Sequence, residues 1–227
     1  MSKVHSNGLF ITLEGGEGSG KTTLMQKLAD YFVSYGYEVL MTREPGGTLL
    51  GETIRNWLLE QNSSFKMSDQ AELFLFLAAR SQHLYEKIQP ALAKGQVVLC
   101  DRFNESTIAY QGGARGLGIE YVQHLCQMAC GETKPNLTLY LDVKPEVGLN
   151  RAKSTQKENA ASGELDRIES EHLSFHQTIK SIFDDLAKAD PERIVKIDAN
   201  QSKNVVLQEA TSIIEKHFSI SPMKNPV

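Results

Sequence analysis

Short apolar runs recur along the chain, each bounded by glycine or by a charged residue, as in the buried strands of a parallel sheet. Segments with apolar residues at three- and four-residue spacing lie between these runs, and this is the spacing of amphipathic helices. Strands that alternate with helices favour parallel pairing through right-handed crossovers. The pattern therefore predicts an α/β fold, a five-stranded parallel sheet flanked by helices on both faces. The predicted strands are 9–13, 37–41, 96–101, 137–142 and 194–198.

The helices between these strands differ in how clearly the pattern defines them. The first begins at Lys21 and should end near Gly36, a residue type that often follows the last turn of a helix. The next is amphipathic and has one apolar face. That face carries Leu50, Ile54, Trp57 and Leu58.

A longer helix is predicted from Asp69 to about Ala93, and Asp69 and Glu72 have the spacing of a capping box. Glu72, Phe76 and Arg80 are spaced by four and should lie along one face. Taken alone, Phe76 would be one more core residue and Arg80 a surface charge. The other apolar residues of this helix should face the core, namely Leu73, Phe74, Leu77 and Leu84.

Two stretches lack a helical pattern. The glycine-rich residues 112–116 predict a flexible loop. The helix that starts at Pro145 gives way at 153–163 to a polar stretch of small residues, which is typical of a disordered linker or a mobile lid. We therefore predict one domain at 1–218 with a mobile lid at about 153–165, followed by a loose tail at 219–227.

Composition narrows the possible partners. The 227 residues carry a net charge of −4, so no basic surface for a nucleic acid polymer is expected. Residues 1–8 lack the apolar segment of a signal peptide, and the longest apolar run, 73–79, is too short to span a bilayer. The three cysteines have no metal-ligand spacing and are expected to be reduced and structural. These features favour a cytoplasmic protein that does not associate with membranes.

The segment 15–22, GGEGSGKT, fits the phosphate-loop pattern G-x-x-x-x-G-K-[ST] and lies between a predicted strand and a predicted helix. Its backbone N–H groups can surround an anion at the positive end of the helix dipole. Lys21 would neutralise the β- and γ-phosphates, and the Thr22 hydroxyl would bind Mg²⁺. The chain is therefore expected to bind a nucleoside triphosphate.

Three further charged residues lie at or just after the ends of predicted strands. Asp101 ends an apolar strand, as a Walker-B aspartate does, and should lie near the Mg²⁺ ion. Arg43 and Arg102 should lie at the same edge of the sheet and bind a second anion beside the triphosphate. This arrangement favours a transferase with a phosphorylated acceptor. A GTPase would need an N-K-x-D tetrapeptide, which does not occur in the chain.

Several ordered motifs resemble those of the thymidylate kinase family. They are TREPGG at 42–47, FLAAR at 76–80, DR at 101–102 with ST at 106–107, AYQG at 109–112 and GELDRIE at 163–169. The resemblance spans roughly residues 9–200 and is much more specific than the phosphate loop alone. It implies a P-loop kinase fold, a homodimer, and Mg²⁺-dependent transfer of the γ-phosphoryl group from ATP to dTMP.

The resemblance also implies roles for the acceptor-site residues. Phe76 would stack on the thymine and Arg80 would donate to its O4, while Thr107 would face the base edge. Tyr110 would lie by the sugar and disfavour a ribose 2′-OH. Glu17 would approach the 3′-OH or the Mg²⁺ ion. Arg43 and Arg102 would hold the acceptor phosphate, and Ser106 and Gln111 would complete the pocket.

On the donor side, the resemblance places Arg151 near the adenine, beside the loop at 198–199. The ATP phosphates would be bound by the loop and the first residues of the helix, namely Gly15, Gly16, Glu17, Gly18, Ser19, Gly20, Lys21, Thr22 and Thr23. The metal ligands would be Thr22, Glu17 and Asp101.

The chain departs from the family at the lid. Many bacterial members have a short lid rich in arginine, whereas this stretch is long and contains only Lys153 and Lys157 as cations before Arg167. We expect at least one of these lysines to supply charge to the transferring phosphoryl group. Arg151 or Arg167 would do so otherwise. The catalytic set is thus Lys21, Arg43, Arg102, Lys153, Lys157 and Arg167.

Two other functions are compatible with a phosphate loop. A P-loop kinase for adenylate, cytidylate or a deoxynucleoside would need a different base pocket from the one that Phe76 and Arg80 predict. A nucleotide-dependent switch or binding protein would leave Arg43, Arg102 and the polar lid unexplained.

Overall fold

The computed structural model describes residues 8–60, 66–158, 167–218 and 220. In this part of the chain five strands form one sheet in the order β2-β3-β1-β4-β5, and all neighbouring strands are parallel. The predicted fold class is confirmed. The strands are β1 Leu9–Glu14, β2 Val39–Arg43, β3 Val97–Asp101, β4 Leu137–Asp142 and β5 Ile194–Asp198.

Helices connect the strands. They are α1 Lys21–Ser34, α2 Leu49–Leu59, α3 Asp69–His83, α4 Gln89–Ala93, α5 Asn104–Thr107, α6 Ile119–Cys130, α7 Pro145–Glu158, α8 Leu173–Ala189 and α9 Lys203–Phe218. Two π-helical segments, Leu84–Ile88 and Ile108–Ala114, continue α3 and α5. Among the described residues, none of the helices combines the length and the apolar character that a membrane span requires.

Alternate residues of β1 bury opposite faces of the sheet, as the two-residue period of a strand requires. Ile11 packs in a cluster with Leu28 of α1 and residues of α9. Phe10 packs on the other side with Ile88, between α3 and α4. Both faces of the sheet are therefore covered by helices, as the sequence predicted.

The register of the central strands positions the site. β1 lies between β3 and β4, and Leu13 of β1 is level with Asp101 of β3. The loop after β1 and the turn after β3 therefore leave the same edge of the sheet side by side. This is the edge at which open α/β sheets bind their ligands.

Some residues on the apolar faces of α2 and α3 are exposed. Leu50 and Trp57 of α2 are 46% and 47% exposed, and Phe74 of α3 is 51% exposed. The prediction that Phe74 faces the core is wrong. On α2, Ile54 and Leu58 are buried and pack with Ala79 of α3, and Leu59 packs partly buried against a second cluster.

Three helix ends also differ from the predictions. Ser68, not Asp69, caps α3, and its Oγ accepts a hydrogen bond from the backbone N–H of Ala71 at 3.2 Å. The loop predicted at 112–116 is wrong for 112–114, which are π-helical. α7 continues through Glu158, so the first part of the predicted lid is helical. The rest of the lid and most of the predicted tail lie outside the described residues.

Candidate active site

Glycines shape the phosphate loop between β1 and α1. Gly15, Gly18 and Gly20 have φ angles of 141°, 61° and 94°, where any residue with a side chain is strained. At Gly18 a β-carbon would also lie 2.0 Å from the carbonyl oxygen of Gly148. Glycine at this position therefore allows α7 to pack directly on the loop.

Lys21 is the first residue of α1 and folds back over the phosphate loop. Its Nζ donates to the carbonyl oxygens of Gly15 and Gly16 at 3.1 and 2.9 Å, and to Oγ of Ser19 at 3.2 Å. Burial lowers the pKa of Lys21, and the charge of Arg102 lowers it further. A cation held by neutral oxygens in such a loop can exchange them for phosphate oxygens.

Asp101 ends β3 beside this loop, as predicted. The Thr22 hydroxyl donates to its Oδ2 at 3.2 Å. Its Oδ1 is buried and has no hydrogen-bond partner in the part of the chain that the structure describes. A buried, unpartnered carboxylate oxygen next to a threonine hydroxyl suits a hard divalent cation. The donor set therefore fits Mg²⁺.

A cavity opens on the other side of the phosphate loop, between α3, α5 and the segment before α8. All the predicted acceptor-site residues except Arg43 line it, namely Glu17, Phe76, Arg80, Arg102, Ser106, Thr107, Tyr110 and Gln111. These residues come from three separate parts of the sequence, around residues 17, 76–80 and 102–111. Their convergence is what the predicted acceptor site required.

Arg102 joins this cavity to the phosphate loop. Its backbone is left-handed, with φ of 73°, which is unusual for a residue other than glycine. The guanidinium donates to Glu17 Oε1 at 2.5 Å, and to the Gly15 carbonyl and Ser106 Oγ at 3.1 Å each. It lies 5.1 Å from the centroid of the Tyr110 ring. A cation with a left-handed backbone and three hydrogen-bond partners thus lies between the two sides of the site.

Glu17 is the counterion of Arg102, and the Tyr110 hydroxyl donates to the same carboxylate oxygen at 2.8 Å. Burial acts to raise the pKa of Glu17, but the charges of Arg102 and Lys21 outweigh it and lower the pKa to about 2. Glu17 is therefore ionised at neutral pH. It neutralises Arg102 in the absence of an anionic substrate.

Glu14, which the sequence analysis missed, holds the turn that carries Arg102. Its side chain is fully buried at the end of β1. Oε1 accepts from the backbone N–H groups of Phe103 and Ser106 at 2.7 and 3.2 Å, and Oε2 accepts from the Ser106 hydroxyl at 2.6 Å. Burial raises the pKa of Glu14 to about 8, and the charge of Glu105 adds to this. A carboxylate ending a buried strand was the signal available in the sequence.

Arg80 enters the cavity from α3 and is 1% exposed, so it is not a surface charge. Its Nε donates to Glu44 Oε2 at 2.7 Å. Nη1 donates to Asn104 Oδ1 and Nη2 to Thr107 Oγ1, each at 2.9 Å. Burial by itself lowers the pKa of this guanidinium, but the Glu44 carboxylate more than offsets it and raises the pKa. Glu44 was not predicted as a site residue, although it lies in the motif at 42–47.

Glu72 lies behind the cavity, where it accepts hydrogen bonds from Gln111, Arg115 and Arg167. It was also missed as a site residue. Gln111 Nε2 donates to its Oε1 at 2.8 Å, and Arg115 Nε donates to the same oxygen at 3.2 Å. Arg167 Nη2 donates to its Oε2, and Arg167 Nε donates to the Leu58 carbonyl at 2.9 Å. The structure therefore places Arg167 on Glu72 and not at the phosphate loop.

Arg43 is the predicted acceptor-site residue that does not line the cavity. Its guanidinium pairs with Glu52 of α2 at 2.9 Å, and its side chain is 52% exposed. β2 is separated from β1 by β3, so Arg43 lies one strand further from the phosphate loop than Arg102 does.

On the donor side, Arg151 of α7 reaches the end of β5. Its Nη1 donates to the carbonyl oxygen of Ala199 at 2.9 Å, which joins the two predicted adenine-side elements. Thr23 is exposed on the first turn of α1. Lys153 is exposed on α7, whereas the side chain of Lys157 lies outside the described part of the chain.

Comparisons with known proteins agree with this geometry. The model of the thymidylate kinase family matches residues 13–210. A thymidylate kinase of Protochlamydia amoebophila is 54% identical over 99% of this chain and 100% of its own length. One from Bacillus velezensis is 44% identical over 92% of this chain and 96% of its own. The crystal structure of thymidylate kinase from Ehrlichia chaffeensis has a TM-score of 0.71 at 32% identity, covering 92% of this chain and 99% of that one.

The raised pKa of Glu14 predicts a pH dependence of stability. The folded protein binds this proton more tightly than the unfolded chain, whose carboxyl has a pKa near the ordinary 4.5. Its contribution is therefore complete below about pH 4.5 and is lost as the pH rises to about 8, by at most about 1.4 kcal/mol per pH unit. Urea unfolding between pH 5 and 8 should show a flatter profile for Glu14→Gln than for the parent. Parallel profiles would contradict the raised pKa.

Proposed function

The chain belongs to the thymidylate kinase family, and from this premise we propose how its residues divide the work of the reaction. The enzyme uses ATP to phosphorylate dTMP to dTDP. The residue assignment depends on one observation above all. The predicted acceptor-site residues, with the exception of Arg43, line a single cavity that Arg102 joins to the phosphate loop.

In the acceptor site, Phe76 stacks on the thymine and Arg80 donates to its O4. Support comes from their shared face on α3 and from the burial of the Arg80 guanidinium, because a desolvated donor discriminates strongly between base edges. Thr107 faces the base edge. Tyr110 lies by the sugar, where its hydrogen bond to Glu17 holds the ring in the place that a ribose 2′-OH would need.

The acceptor phosphate is held mainly by Arg102. The phosphate replaces Glu17 as its partner, which frees the Glu17 carboxylate to accept from the sugar 3′-OH. Ser106 and Gln111 complete the pocket. Arg43 contributes at longer range, since it must first leave Glu52.

On the donor side, the loop 15–23 surrounds the ATP phosphates, with Lys21 on the β- and γ-phosphate oxygens. Arg151 and the turn after β5 hold the adenine. Thr22 and Asp101, with Glu17 nearby, would hold Mg²⁺, which neutralises charge on the phosphates when bound. Thr22 and Asp101 already touch, so little rearrangement is needed.

The reaction requires that the two nucleotides be held in line and that the charge on the phosphoryl oxygens be neutralised. It needs no general base. A phosphate oxygen of dTMP, already an anion, attacks the γ-phosphorus in line. The bond from that phosphorus to the bridging oxygen breaks, and ADP leaves. Lys21 and Arg102 stabilise the charge on the oxygens, and the closed site excludes water.

The first test is removal of the phosphate-loop cation. Lys21→Ala should lower single-turnover transfer to dTMP by at least about a hundredfold, because a buried donor aimed at the developing charge is lost. The unfolding midpoint should change little.

Coupled ADP release with dTMP, dUMP, AMP and CMP should show clear preference for dTMP in the parent. Normal turnover in a folded Lys21→Ala enzyme, or equal use of AMP, would contradict the assignment.

The lid cation is assigned to Lys153 before Lys157. A β-carbon on Gly18 would lie 3.1 Å from the backbone nitrogen of Ala152, so α7 contacts the phosphate loop at Ala152. Lys153 is the next residue of this helix. Arg167 is held by Glu72 and by the Leu58 carbonyl. Lys157 lies one turn further along the helix and acts as a second, more distant charge.

Lysine variants test this assignment. Lys153→Ala should slow single-turnover transfer by roughly tenfold, less than the loss of a bidentate arginine finger, and Lys157→Ala by less. Lys153→Arg should retain the rate or exceed it. Lys188→Ala, which removes an exposed lysine of α8, is the control. If the Lys153/Lys157 double variant transfers at the parent rate, the charge must come from Arg151 or Arg167.

We also propose that the enzyme is a cytoplasmic homodimer. The free cysteines suit a reducing compartment. The adjacent helices α2, α3 and α6 each expose large apolar side chains, which together suit a second copy of the chain. The exposed apolar residues of these helices are Leu49, Leu50, Trp57, Phe74, Tyr121 and Met128.

Phe74→Glu should convert the dimer to a monomer, because a charge would be buried without a partner in the interface. Its fold should be retained, since Phe74 is half exposed in the single chain. Val33→Glu, which changes an exposed apolar residue of α1, is the control. Sedimentation analysis should give monomer mass for the first variant and dimer mass for the second. Monomer mass for the parent would contradict the proposal.

A further inference from the structure

The buried guanidinium of Arg80 has nearly all of its hydrogens engaged. Of its five N–H donors, Nε–H meets Glu44, the Nη1 hydrogens meet Asn104 and the Cys126 sulfur, and one Nη2 hydrogen meets Thr107. For the second Nη2 hydrogen, the residues that the structure describes provide no acceptor. Arg80 therefore offers the cavity a single donor, and the use of that donor depends on what else could accept from it.

Glu44 is the competing acceptor. A carboxylate next to the Nε edge of an arginine ordinarily accepts from Nε and Nη2 together, through both of its oxygens. Here only Oε2 bonds to Arg80, at 2.7 Å from Nε. Oε1 instead lies 3.0 Å from Nδ1 of His83. The two oxygens are thus shared between two partners, and the second Nη2 hydrogen is left for another acceptor.

His83 is fixed in the orientation that makes this possible. Its ring is fully buried, and its Nε2 lies 2.6 Å from the Thr42 hydroxyl. A carboxylate can only accept, so Nδ1 carries the proton, and in the neutral ring Nε2 accepts from Thr42. Gly47 packs so close that a β-carbon there would be 2.6 Å from Nε2. The ring cannot turn without displacing this loop.

We propose that His83 is a specificity-determining positioning residue: by holding Oε1 of Glu44, it keeps one Nη2 hydrogen of Arg80 available for the 4-oxo group of the acceptor base. His83 itself touches neither substrate. Without its Nδ1–H donor, Oε1 turns to Arg80 and the pair becomes bidentate. The inference rests on the proposed base-reading role of Arg80.

Two amide substitutions separate positioning from mere space filling. The Asn amide lies where Nδ1 lies and can still donate to Glu44, whereas the Gln amide lies near Nε2, reaches Thr42 and leaves Glu44 without its donor. The measurement is the ratio of kcat/KM for dTMP to that for 5-methyl-dCMP, which differs from dTMP at the 4-position of the base. His83→Gln should lower this ratio by roughly tenfold or more, mainly through KM for dTMP, with KM for ATP unchanged. His83→Asn should keep the ratio within about threefold of the parent.

Equal ratios in the parent and in His83→Gln overturn the proposal, as does an equal loss in both amide variants. A fall in activity on both acceptors with the ratio intact shows a structural role only and also overturns it. If His83→Gln does not fold, Thr42→Val, which removes the second partner of the ring, should lower the ratio by about threefold, and an unchanged ratio there overturns the proposal.

Arg80→Lys separates this inference from the assignment on which it rests. Lysine keeps the charge and loses the forked geometry. If the dTMP to 5-methyl-dCMP ratio survives in Arg80→Lys, the base-reading role of Arg80 is wrong. If the ratio falls there but not in His83→Gln, Arg80 reads the base without help from His83.

Discussion

The burial of charge is the constraint on which this site depends. An enzyme that binds two anionic nucleotides must hold arginines where little water reaches them, and a buried charge without a partner costs several kcal/mol. Three arginines in and beside the cavity accordingly pair with a carboxylate: Arg102 with Glu17, Arg80 with Glu44, and Arg115 with Glu72. The carboxylates are thus as much a part of the site as the arginines, although Glu17 is the only one of the three that the phosphate-loop motif contains.

The carboxylates differ in how firmly they are held. Arg102 and Glu17 are each 17% exposed, so a substrate phosphate can displace Glu17 while water still reaches both groups. The side chains of Arg80 and Glu44 are 2% and 5% exposed, and His83 holds the second oxygen of Glu44. The first pair is suited to exchange partners during turnover. The second is suited to stay fixed and to present one hydrogen to a base.

The local sequence pattern predicted those features of the fold and the site that depend on residues close together in the sequence. The strands, the phosphate loop and the position of Asp101 and Arg102 follow from short motifs, because parallel strands all bring their carboxyl ends to one edge. Glu72 and His83 could not be assigned in this way. Glu72 meets Arg167 95 residues later, and His83 meets Thr42 41 residues earlier. Such partners become neighbours only through the tertiary fold.

Periodicity also failed to separate two kinds of apolar surface. Ile54 and Phe74 have the same spacing signal, yet Ile54 is 3% exposed and Phe74 is 51% exposed. A helix face that packs inside the chain and one suited to another molecule carry the same residues at the same period. The sequence therefore shows how wide an apolar face is, while the structure shows which part of it the chain itself covers.

The cost of movement supports the proposal that Lys153, and not Arg167, supplies the lid charge. Arg167 has three anchors, since its backbone N–H donates to Leu59, its Nε donates to Leu58, and its Nη2 donates to Glu72. Moving it to the phosphate loop would break all three and leave buried Glu72 with Arg115 and Gln111 only. Lys153 lies on a helix that already packs on the loop through Gly148 and Gly18, so its side chain alone needs to turn. In the proposed mechanism, a flexible lysine is then the cation that needs least movement, and Arg102 supplies the directed hydrogen bonds that a lysine lacks.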